Sequence, residues 1–255
     1  MEITFLGTGT SQGVPVVACH CEVCRLGTEK DKRLRSSILV RDGKQTIVVD
    51  SGPDFRQQLL REQVDSLDAV LITHSHKDHI AGLDDVRSFN WFTKRPMPIY
   101  ATPRDQERIK QEFYYAFSGN NYPGIPQFKL ITIDSHRFSV GEMEIQPLEV
   151  LHMKMTVTGF RIGDFAYLTD TNYIPGEILA RLSDCRVIVV SALRREKHIS
   201  HYNLDEAVDV LQFLRPERGY LTHLSHLMGF HEAVERTLPD FIRIAYDGLR
   251  IEVSS

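Results

Sequence analysis

The sequence predicts a mixed α/β protein, and three observations support this. Apolar, β-branched runs such as 69–72 and 186–190 have the length of buried strands. Helical stretches such as 203–214 alternate with them. Strands and helices of the first half are loosely echoed in the second half, which predicts two packed βα halves with a cleft between them. We expect a single domain over residues 1–255, which is long enough to bury a substantial core.

The individual elements follow from the same patterns, from the first residues to the last. Turn residues such as Asp42-Gly43 and Gly163-Asp164 predict hairpins between neighbouring strands. Strands are predicted at 2–7, 35–40, 45–50, 69–72, 96–100, 129–133, 143–150, 156–162, 165–168, 186–190 and about 220–222, with a closing hairpin through 247–248. Helices are predicted at 53–61, 83–92, 102–117, 175–182, 203–214 and 231–238.

Composition limits the function classes. Of the 255 residues, 42% are hydrophobic and 25% are charged, as in ordinary globular proteins, and the formal net charge is −4. An acidic balance without basic clusters disfavours a nucleic-acid partner. No signal peptide or membrane-length apolar run is recognisable, so we expect a cytoplasmic protein with no membrane contact. The sequence leaves open whether two chains form a homodimer.

A cluster of histidines follows the predicted strand at 69–72. His74, His76, Asp78 and His79 lie within six residues of one another. Burying so many polar side chains at one strand end is unfavourable, because each would need its own hydrogen-bond partner. A metal ion supplies one partner for all of them, and imidazole with carboxylate suits zinc, iron, copper, nickel or manganese. This stretch therefore predicts a metal site.

The spacing within the cluster predicts two neighbouring metals. His74 and His76 are two residues apart, so their rings point the same way in an extended turn. Asp78 and His79 follow after the chain has bent, and they point elsewhere. We therefore expect His74 and His76 to bind one metal, and Asp78 and His79 to bind the other.

A second cluster contains three cysteines, Cys19, Cys21 and Cys24. In a cytoplasmic protein, such thiols are better interpreted as metal ligands than as disulfides. Three thiolates match a structural zinc site that needs one more ligand, often a histidine. His20 lies between two of the cysteines and is expected to point away.

The histidine pattern resembles the signature of the metallo-β-lactamase superfamily. The resemblance implies an αββα four-layer sandwich that binds two divalent metals, zinc or manganese. It also implies that His152 completes the first metal site, that Asp170 bridges the two metals and that His223 completes the second. Asp50, in an Asp-x-Gly turn, is expected to support a ligand loop and not to bind metal itself.

The cysteine cluster resembles the extra zinc site of the phosphoribosyl cyclic phosphodiesterases, whose fourth ligand would here be His226. This resemblance implies a binuclear hydrolase in which a metal-bridging hydroxide opens a small cyclic phosphodiester. Asp78 and His201 are the expected catalytic residues, and His201 would act as general acid or phosphoryl binder. His198 competes with His201 for that role. The segment 200–203 lacks the proline-rich character of those enzymes, so the substrate remains open.

Three other functions remain open. A tRNA 3′-processing nuclease shares the scaffold but needs a basic arm, which the chain lacks. Lactone or thioester hydrolysis would use the same hydroxide. An iron-dependent oxidoreductase is an alternative of another class, although diiron oxygen reductases have glutamate where this chain has His76.

The aromatic segment 114–128 could be a lid, a partner surface or a packed loop.

Overall fold

The structure is a computed structural model and describes residues 1–119 and 122–253. The strands are β1 (Glu2–Gly7), β2 (Ser37–Asp42), β3 (Gln45–Val49), β4 (Ala69–Leu71), β5 (Met97–Ala101), β6 (Phe128–Thr132), β7 (Phe138–Val140), β8 (Met143–His152), β9 (Met155–Ile162), β10 (Phe165–Leu168), β11 (Val187–Ser191), β12 (Arg218–Thr222), β13 (Ile242–Ile244) and β14 (Arg250–Glu252). The α-helices are α1 (Glu22–Leu26), α2 (Phe55–Arg61), α3 (Lys77–Ile80), α4 (Arg87–Thr93), α5 (Pro103–Glu112), α6 (Tyr114–Phe117), α7 (Gly176–Leu182), α8 (Leu204–Leu214) and α9 (His231–Glu235). Short 3₁₀ helices cover Glu29–Asp31, Leu83–Val86 and His226–Met228.

Within the described ranges the strands form two mixed sheets of seven. The first has the order β14-β1-β2-β3-β4-β5-β6, and the second has the order β13-β12-β11-β10-β9-β8-β7. In the first sheet, β3 to β6 run parallel to one another, and in the second β10 to β13 do so. The remaining pairs are antiparallel hairpins and edges. Each half of the chain therefore builds most of one sheet.

The two sheets pack face to face, and helices cover their outer faces. Side chains alternate along β2, where Ile38 and Val40 enter the core between the sheets and Leu39 points to the outer helices. Outside the first sheet, α2 and α5 contribute to the apolar cluster, and outside the second sheet α7 and α8 do so. Because both faces of each sheet are buried, the central strands are apolar runs. The αββα sandwich is confirmed.

Several sequence-based boundaries differ from the structure. The closing hairpin through 247–248 is wrong, because β13 lies in the second sheet and β14 pairs with β1 in the first. The predicted helix 102–117 is broken at Phe113, and 83–92 begins as a 3₁₀ turn. β7 and α1 were not predicted, since each is too short to show a clear period.

The aromatic segment 114–128 is only partly described, since Asn120 and Asn121 lie outside the described residues. Its Tyr114 and Tyr122 side chains are exposed, so the segment is not simply packed into the core. In the part of the chain that the structure describes, no helix is both long and apolar enough to cross a membrane.

Candidate metal centre

The residues predicted to bind metal lie at one end of the two sheets, where several strands finish. In the first sheet, β3 and β4 end just before Asp50 and the turn that carries His74. In the second sheet, β8 ends at His152, and β10 and β12 end just before Asp170 and His223. Because parallel strands present their carboxyl ends on the same side, these side chains converge.

Four of the predicted residues form a compact group: each of Asp78, His79, Asp170 and His223 offers a ligand atom within 4.8 Å of the others. His79 Nε2 lies 3.1 Å from Asp78 Oδ2 and 3.3 Å from Asp170 Oδ1. His223 Nδ1 lies 3.0 Å from Asp170 Oδ1. Two imidazoles and two carboxylates are a donor set that zinc and manganese accept.

The hydrogen bonds of His79 show that this group fits a metal. Its Nδ1 lies 2.7 Å from Asp50 Oδ2, which also accepts the Thr73 hydroxyl. A carboxylate on one ring nitrogen fixes the tautomer and turns the other nitrogen towards the metal. That other nitrogen, Nε2, is buried and lacks a hydrogen bond within the described residues. Asp50 thus has the supporting position expected of it, outside the group of ligand atoms.

The remaining predicted ligands form an adjoining group. His74 Nε2 lies 2.9 Å from His76 Nδ1 and 3.9 Å from Asp170 Oδ2. The ring centre of His152 is 5.9 Å from that of His74 and 5.4 Å from that of His76. His152 Nδ1 donates a hydrogen bond to the Ser200 carbonyl at 2.7 Å, which leaves its Nε2 free to bind a cation. Asp170 therefore contacts both groups, as a bridging carboxylate would.

The geometry favours His201 over His198 as the histidine that would contact the substrate beside the predicted metal ligands. His201 is 8% exposed, and its ring centre lies 4.5 Å from that of His152 and 5.0 Å from that of His223. His198 lies further out, 5.4 Å from His201, and its Nδ1 accepts a hydrogen bond from Ser200. His201, His152 and Asp170 also hold ligand atoms within 4.8 Å of one another, so His201 is close enough to bind metal itself.

The histidines and aspartates of the centre shift one another's pKa values. Burial opposes charge on His79, but the carboxylates of Asp78, Asp170 and Asp50 raise its pKa well above the usual value. Burial alone would raise the pKa of Asp170, yet His223 and His79 hold it well below the usual range. Burial lowers the pKa of His201 to about 3, so this ring is neutral at neutral pH. Without metal, a charged Asp170 therefore lies beside a protonated His79, and His201 is neutral.

Three residues of the centre have left-handed backbone conformations. The φ angles are +64° at Asp50, +51° at Asp170 and +60° at His223. A positive φ is uncommon for residues other than glycine, although aspartate and histidine adopt it several-fold more often than most side chains do. Such strain persists only where the surrounding structure imposes it, and it concentrates at functional sites.

Sequence reasoning missed two hydroxyl groups that hold His223. Thr10 Oγ1 lies 3.1 Å from its Nε2, and Ser36 Oγ lies 3.2 Å from its Nδ1. Thr10 belongs to the glycine-rich loop after β1, where Gly9 pairs with Leu224. The glycines gave a signal that backbone approaches the site there, but single hydroxyl residues carry no spacing that would identify them.

The cysteine cluster is also assembled in space. Cys19, Cys21, Cys24 and His226 hold ligand atoms within 4.8 Å of one another, while His20 is exposed. His226 Nδ1 lies 3.3 Å from Cys19 Sγ and 3.2 Å from Cys21 Sγ. The hydrogen bond from His226 lowers the pKa of Cys21 to about 6, whereas burial raises that of Cys24 to about 11. Three sulfurs and one imidazole nitrogen suit a tetrahedral zinc site.

The chain matches one family model and is similar to several curated proteins. The family model described as the Beta-lactamase superfamily domain matches residues 45–224. The chain is 40% identical over 252 residues to an octanoyltransferase of Porphyromonas gingivalis, covering 98% of this chain and 51% of that protein. It is 35% identical over 117 residues to coenzyme PQQ synthesis protein B of Methylorubrum extorquens, covering 40% of this chain and 38% of that protein. The chain thus spans about half the length, or less, of these curated relatives.

The chain also resembles several solved structures. A diphosphatase from the PhnP family is 36% identical with a TM-score of 0.93, covering 99% of this chain and 98% of that one. Zn(2+)-bound PqqB from Methylobacterium extorquens is 20% identical with a TM-score of 0.79, covering 99% and 100%. The short form of human tRNase Z is 18% identical with a TM-score of 0.73 and full coverage of 100% on both sides. At these lower identities the last two show the fold alone.

These matches decide the family. The family model covers more than half of the chain, and the likeness to the PhnP-family diphosphatase extends along almost all of it. That likeness supports a hydrolase, and the metallo-β-lactamase fold implies divalent metals. The chain therefore belongs to the beta-lactamase superfamily, within the group that has the metallo-β-lactamase fold.

Proposed function

We propose that this protein is a binuclear metal-dependent hydrolase that cleaves a phosphorus–oxygen bond in a small phosphodiester. The observation that carries the proposal is the convergence of the predicted side chains on Asp170, which contacts both groups of histidines. Two cations that share a carboxylate are the usual arrangement for phosphoester hydrolysis. The preferred substrate is a cyclic phosphodiester of the phosphoribosyl type.

The ligands divide into two sets in this proposal. The first metal would be held by His74, His76 and His152, and the second by Asp78, His79 and His223, with Asp170 between them. The three thiolates and His226 would hold a structural zinc. Zinc and manganese both suit the imidazole and carboxylate donors. Bound there, divalent cations would supply Lewis acidity and make a hydroxide nucleophile available at neutral pH.

The chain itself holds these ligands in place. Asp50 fixes the ring of His79 through Nδ1, and the Ser200 carbonyl fixes the ring of His152 in the same way. Such partners hold imidazoles in the orientation that binding requires and commonly change metal affinity by about 10–100-fold. The site is therefore preorganised before substrate arrives.

His201 is assigned to the substrate. Its ring is neutral at neutral pH because burial and the neighbouring His223 lower its pKa to about 3. A neutral ring can donate a hydrogen bond to a phosphoryl oxygen. It becomes a general acid only when the anionic substrate raises its pKa, since a nearby negative charge favours the protonated ring. Phosphoryl binding is thus its first role, and proton delivery to the leaving oxygen depends on substrate.

A second candidate substrate class is a diphosphate. The specific observation in its favour is the similarity along 99% of the chain to a protein described as a diphosphatase. Cleavage of a phosphoanhydride uses the same attack on phosphorus and the same phosphoryl contacts. The likeness to tRNase Z, at 18% identity, supports the fold alone, and the net charge of −4 disfavours an RNA substrate.

A hydrolysis panel tests the proposal. Purified protein loaded with Zn²⁺ or Mn²⁺ would be given bis(p-nitrophenyl) phosphate, a ribose 1,2-cyclic phosphate, a dinucleoside diphosphate, a lactone, an octanoyl thioester and a precursor tRNA. We expect turnover of the small phosphorus compounds, with the cyclic phosphate fastest, and no turnover of the precursor tRNA. Faster turnover of the diphosphate would select the second candidate. Turnover of only the lactone or thioester would refute attack on phosphorus, and oxygen consumption by an iron-loaded sample would indicate an oxidoreductase.

A further inference from the structure

Asp105 is a buried carboxylate that the proposed reaction does not use. It lies in the first turn of α5 and is 1% exposed. Burying an ionisable carboxyl group is unfavourable unless hydrogen bonds compensate. Its Oδ2 accepts the Thr102 hydroxyl at 2.5 Å, and its Oδ1 accepts the backbone N–H of Ser75 at 3.1 Å. The second bond reaches outside the helix, into the turn between His74 and His76.

The sequence around Asp105 predicts a purely local role. Thr102-Pro103-Arg104-Asp105 has the pattern of a capping box, in which the acidic residue bonds back to the backbone of the N-cap. At the start of α8, Glu206 does this, accepting the Asn203 backbone N–H at 3.0 Å. In α5, Thr102 caps the helix, but the carboxylate of Asp105 turns to Ser75. The departure from the local pattern indicates a function outside the helix.

The neighbouring Arg104 extends the contact to the other sheet. Its Nη2 donates to Asp105 Oδ1 at 3.4 Å and to the Thr156 carbonyl at 3.0 Å. Thr156 lies on β9, opposite Leu151 on β8, and the next pair in the ladder joins Met155 to His152. Arg104 and Asp105 therefore connect the turn of the first sheet that carries two predicted ligands with the hairpin of the second sheet that carries a third.

We propose that Arg104 and Asp105 form a positioning pair that sets the separation of the His74–His76 turn from His152. The hydrogen bond to Ser75 fixes the peptide plane between the two histidines, and hence the direction of both rings. The bond from Arg104 to β9 fixes the partner hairpin. The pair touches neither substrate nor metal, and it acts through backbone groups. This inference rests on the proposed function only in that His74, His76 and His152 bind a cation.

The test is a Co²⁺ titration of metal-free protein, monitored by visible absorption. Cobalt at the imidazole sites gives ligand-field bands that report coordination geometry, and cobalt at the thiolates adds charge-transfer bands that identify that site separately. We expect Asp105→Ala to weaken Co²⁺ binding at the imidazoles by about 10–100-fold, as the loss of a group that orients metal ligands commonly does, and to alter the ligand-field bands. Asp105→Asn should recover much of the affinity, because its amide oxygen still accepts the Ser75 N–H.

Two further variants separate positioning from stability. Asp31→Ala is the matched control, since Asp31 is 3% exposed and accepts the backbone N–H of His231 at 2.6 Å. It should lower the melting temperature without changing Co²⁺ binding at the imidazoles. Arg104→Met removes the guanidinium group of a half-exposed side chain, and we expect this variant to fold. It should weaken Co²⁺ binding less than Asp105→Ala does.

The outcomes distinguish this inference from the proposed function. Unchanged Co²⁺ affinity and spectra in Asp105→Ala and Arg104→Met would overturn the positioning role; should Asp105→Ala fail to fold, Asp105→Asn and Arg104→Met decide it. Wild-type protein that binds Co²⁺ as expected but hydrolyses no phosphate ester would overturn the proposed function alone. Wild-type protein that binds no Co²⁺ at the imidazoles would overturn both.

Discussion

At the scale of single residues, Asp170 and His201 have contrasting positions. Asp170 lies within contact distance of His223, His79 and His74, and all three rings lower its pKa. The His201 ring is stacked on that of His223 and tilted against that of His152, while its Nδ1 lacks a hydrogen bond among the described residues. One side chain is surrounded by partners and the other retains an unused polar atom. We propose that Asp170 binds metal and that His201 binds substrate, although His201 is also close enough to Asp170 and His152 to be a ligand.

The role of His201 predicts a loss of turnover without a loss of metal. In His201→Ala, hydrolysis of the best phosphodiester should fall by about 10²–10³-fold if the ring only binds the phosphoryl group, and by up to about 10⁴-fold if it also delivers the proton. Metal content, measured by mass spectrometry, should stay at the wild-type value. His198→Ala is the control and should change turnover little. Lost metal in His201→Ala would mean that this ring is a ligand, as its distance to Asp170 allows.

The raised pKa of His79 predicts that metal binding releases a proton. In metal-free protein its ring is protonated at neutral pH, because Asp78, Asp170 and Asp50 outweigh the effect of burial. A metal needs the neutral ring, so binding should displace this proton, and affinity should fall as the pH is lowered. Isothermal titration of Zn²⁺ in buffers of different ionisation enthalpy counts the released protons. No release from the imidazole site near pH 7 would show that His79 is already neutral.

The same group sets a pH dependence of stability in the metal-free protein. The folded-state pKa of His79 lies above its unfolded value. Its contribution to the free energy of unfolding is therefore fully present below about pH 6.5 and is lost as the pH rises through the folded pKa. Asp170 has the opposite sign: its lowered pKa stabilises the fold above about pH 4, and that contribution is lost as the pH falls through the folded pKa.

Single residues also mark the limit of what the sequence could predict. The histidine motif was accessible because its members are adjacent in the chain, and the more distant ligand positions followed only from the family resemblance. Thr10, Ser36 and Asp105 make contacts with residues that are distant in sequence, and only Thr10 has a signal beside it, the glycines of its loop. Asp105 even has a local pattern that suggests a different bond.

At the scale of elements, the short helix α3 is held in place by close backbone contacts. A Cβ atom at Gly52 would collide with the carbonyl oxygen of Asp78, and one at Gly82 would collide with the carbonyl oxygen of Gly52. The Asp50-Ser51-Gly52 turn therefore packs directly against the helix that carries Asp78 and His79. The tight fit explains the glycine of the Asp-x-Gly pattern.

This packing predicts the effect of a single methyl group. Gly52→Ala should push α3 away from the turn, weaken Zn²⁺ binding at the imidazole sites and lower stability by about 1–3 kcal/mol, as overpacking does. Gly176→Ala is the control, because a Cβ atom there meets no atom within 4 Å. Competition with a chelator and urea unfolding measure the two effects. Equal Zn²⁺ affinity in both variants would contradict the role of the close contact.

Helices and strands were predicted well where their sequence pattern was clear. Prediction was poorer near the end of the chain. Buried strands such as β4 and β11 have continuous apolar runs, and α8 has a capping box and a clear amphipathic pattern. The turn at Asp247-Gly248 favoured a hairpin, yet it connects the two sheets. Local turn chemistry cannot tell which sheet a following strand joins, since that choice depends on the edge that β1 leaves open.

At the scale of the whole molecule, the core between the sheets keeps the two halves of the site together. Phe160 on β9 is fully buried there, beside residues of both sheets. Phe160→Ala should lower the free energy of unfolding by about 3–5 kcal/mol, because it leaves a cavity in a packed core. Phe213→Ala, at a side chain that is 72% exposed, should change it by less than about 0.5 kcal/mol. Similar urea midpoints for the two variants would contradict this view of the core.

We propose that two cations bind where the two sheets meet, on either side of Asp170. Anomalous diffraction at the zinc absorption edge, from crystals of Zn²⁺-loaded protein, would locate them. We predict one peak among His74, His76 and His152, a second among Asp78, His79 and His223, both next to Asp170, and a third among the thiolates. Imidazoles that point apart, with no peak between them in crystals whose thiolate site is filled, would contradict the account.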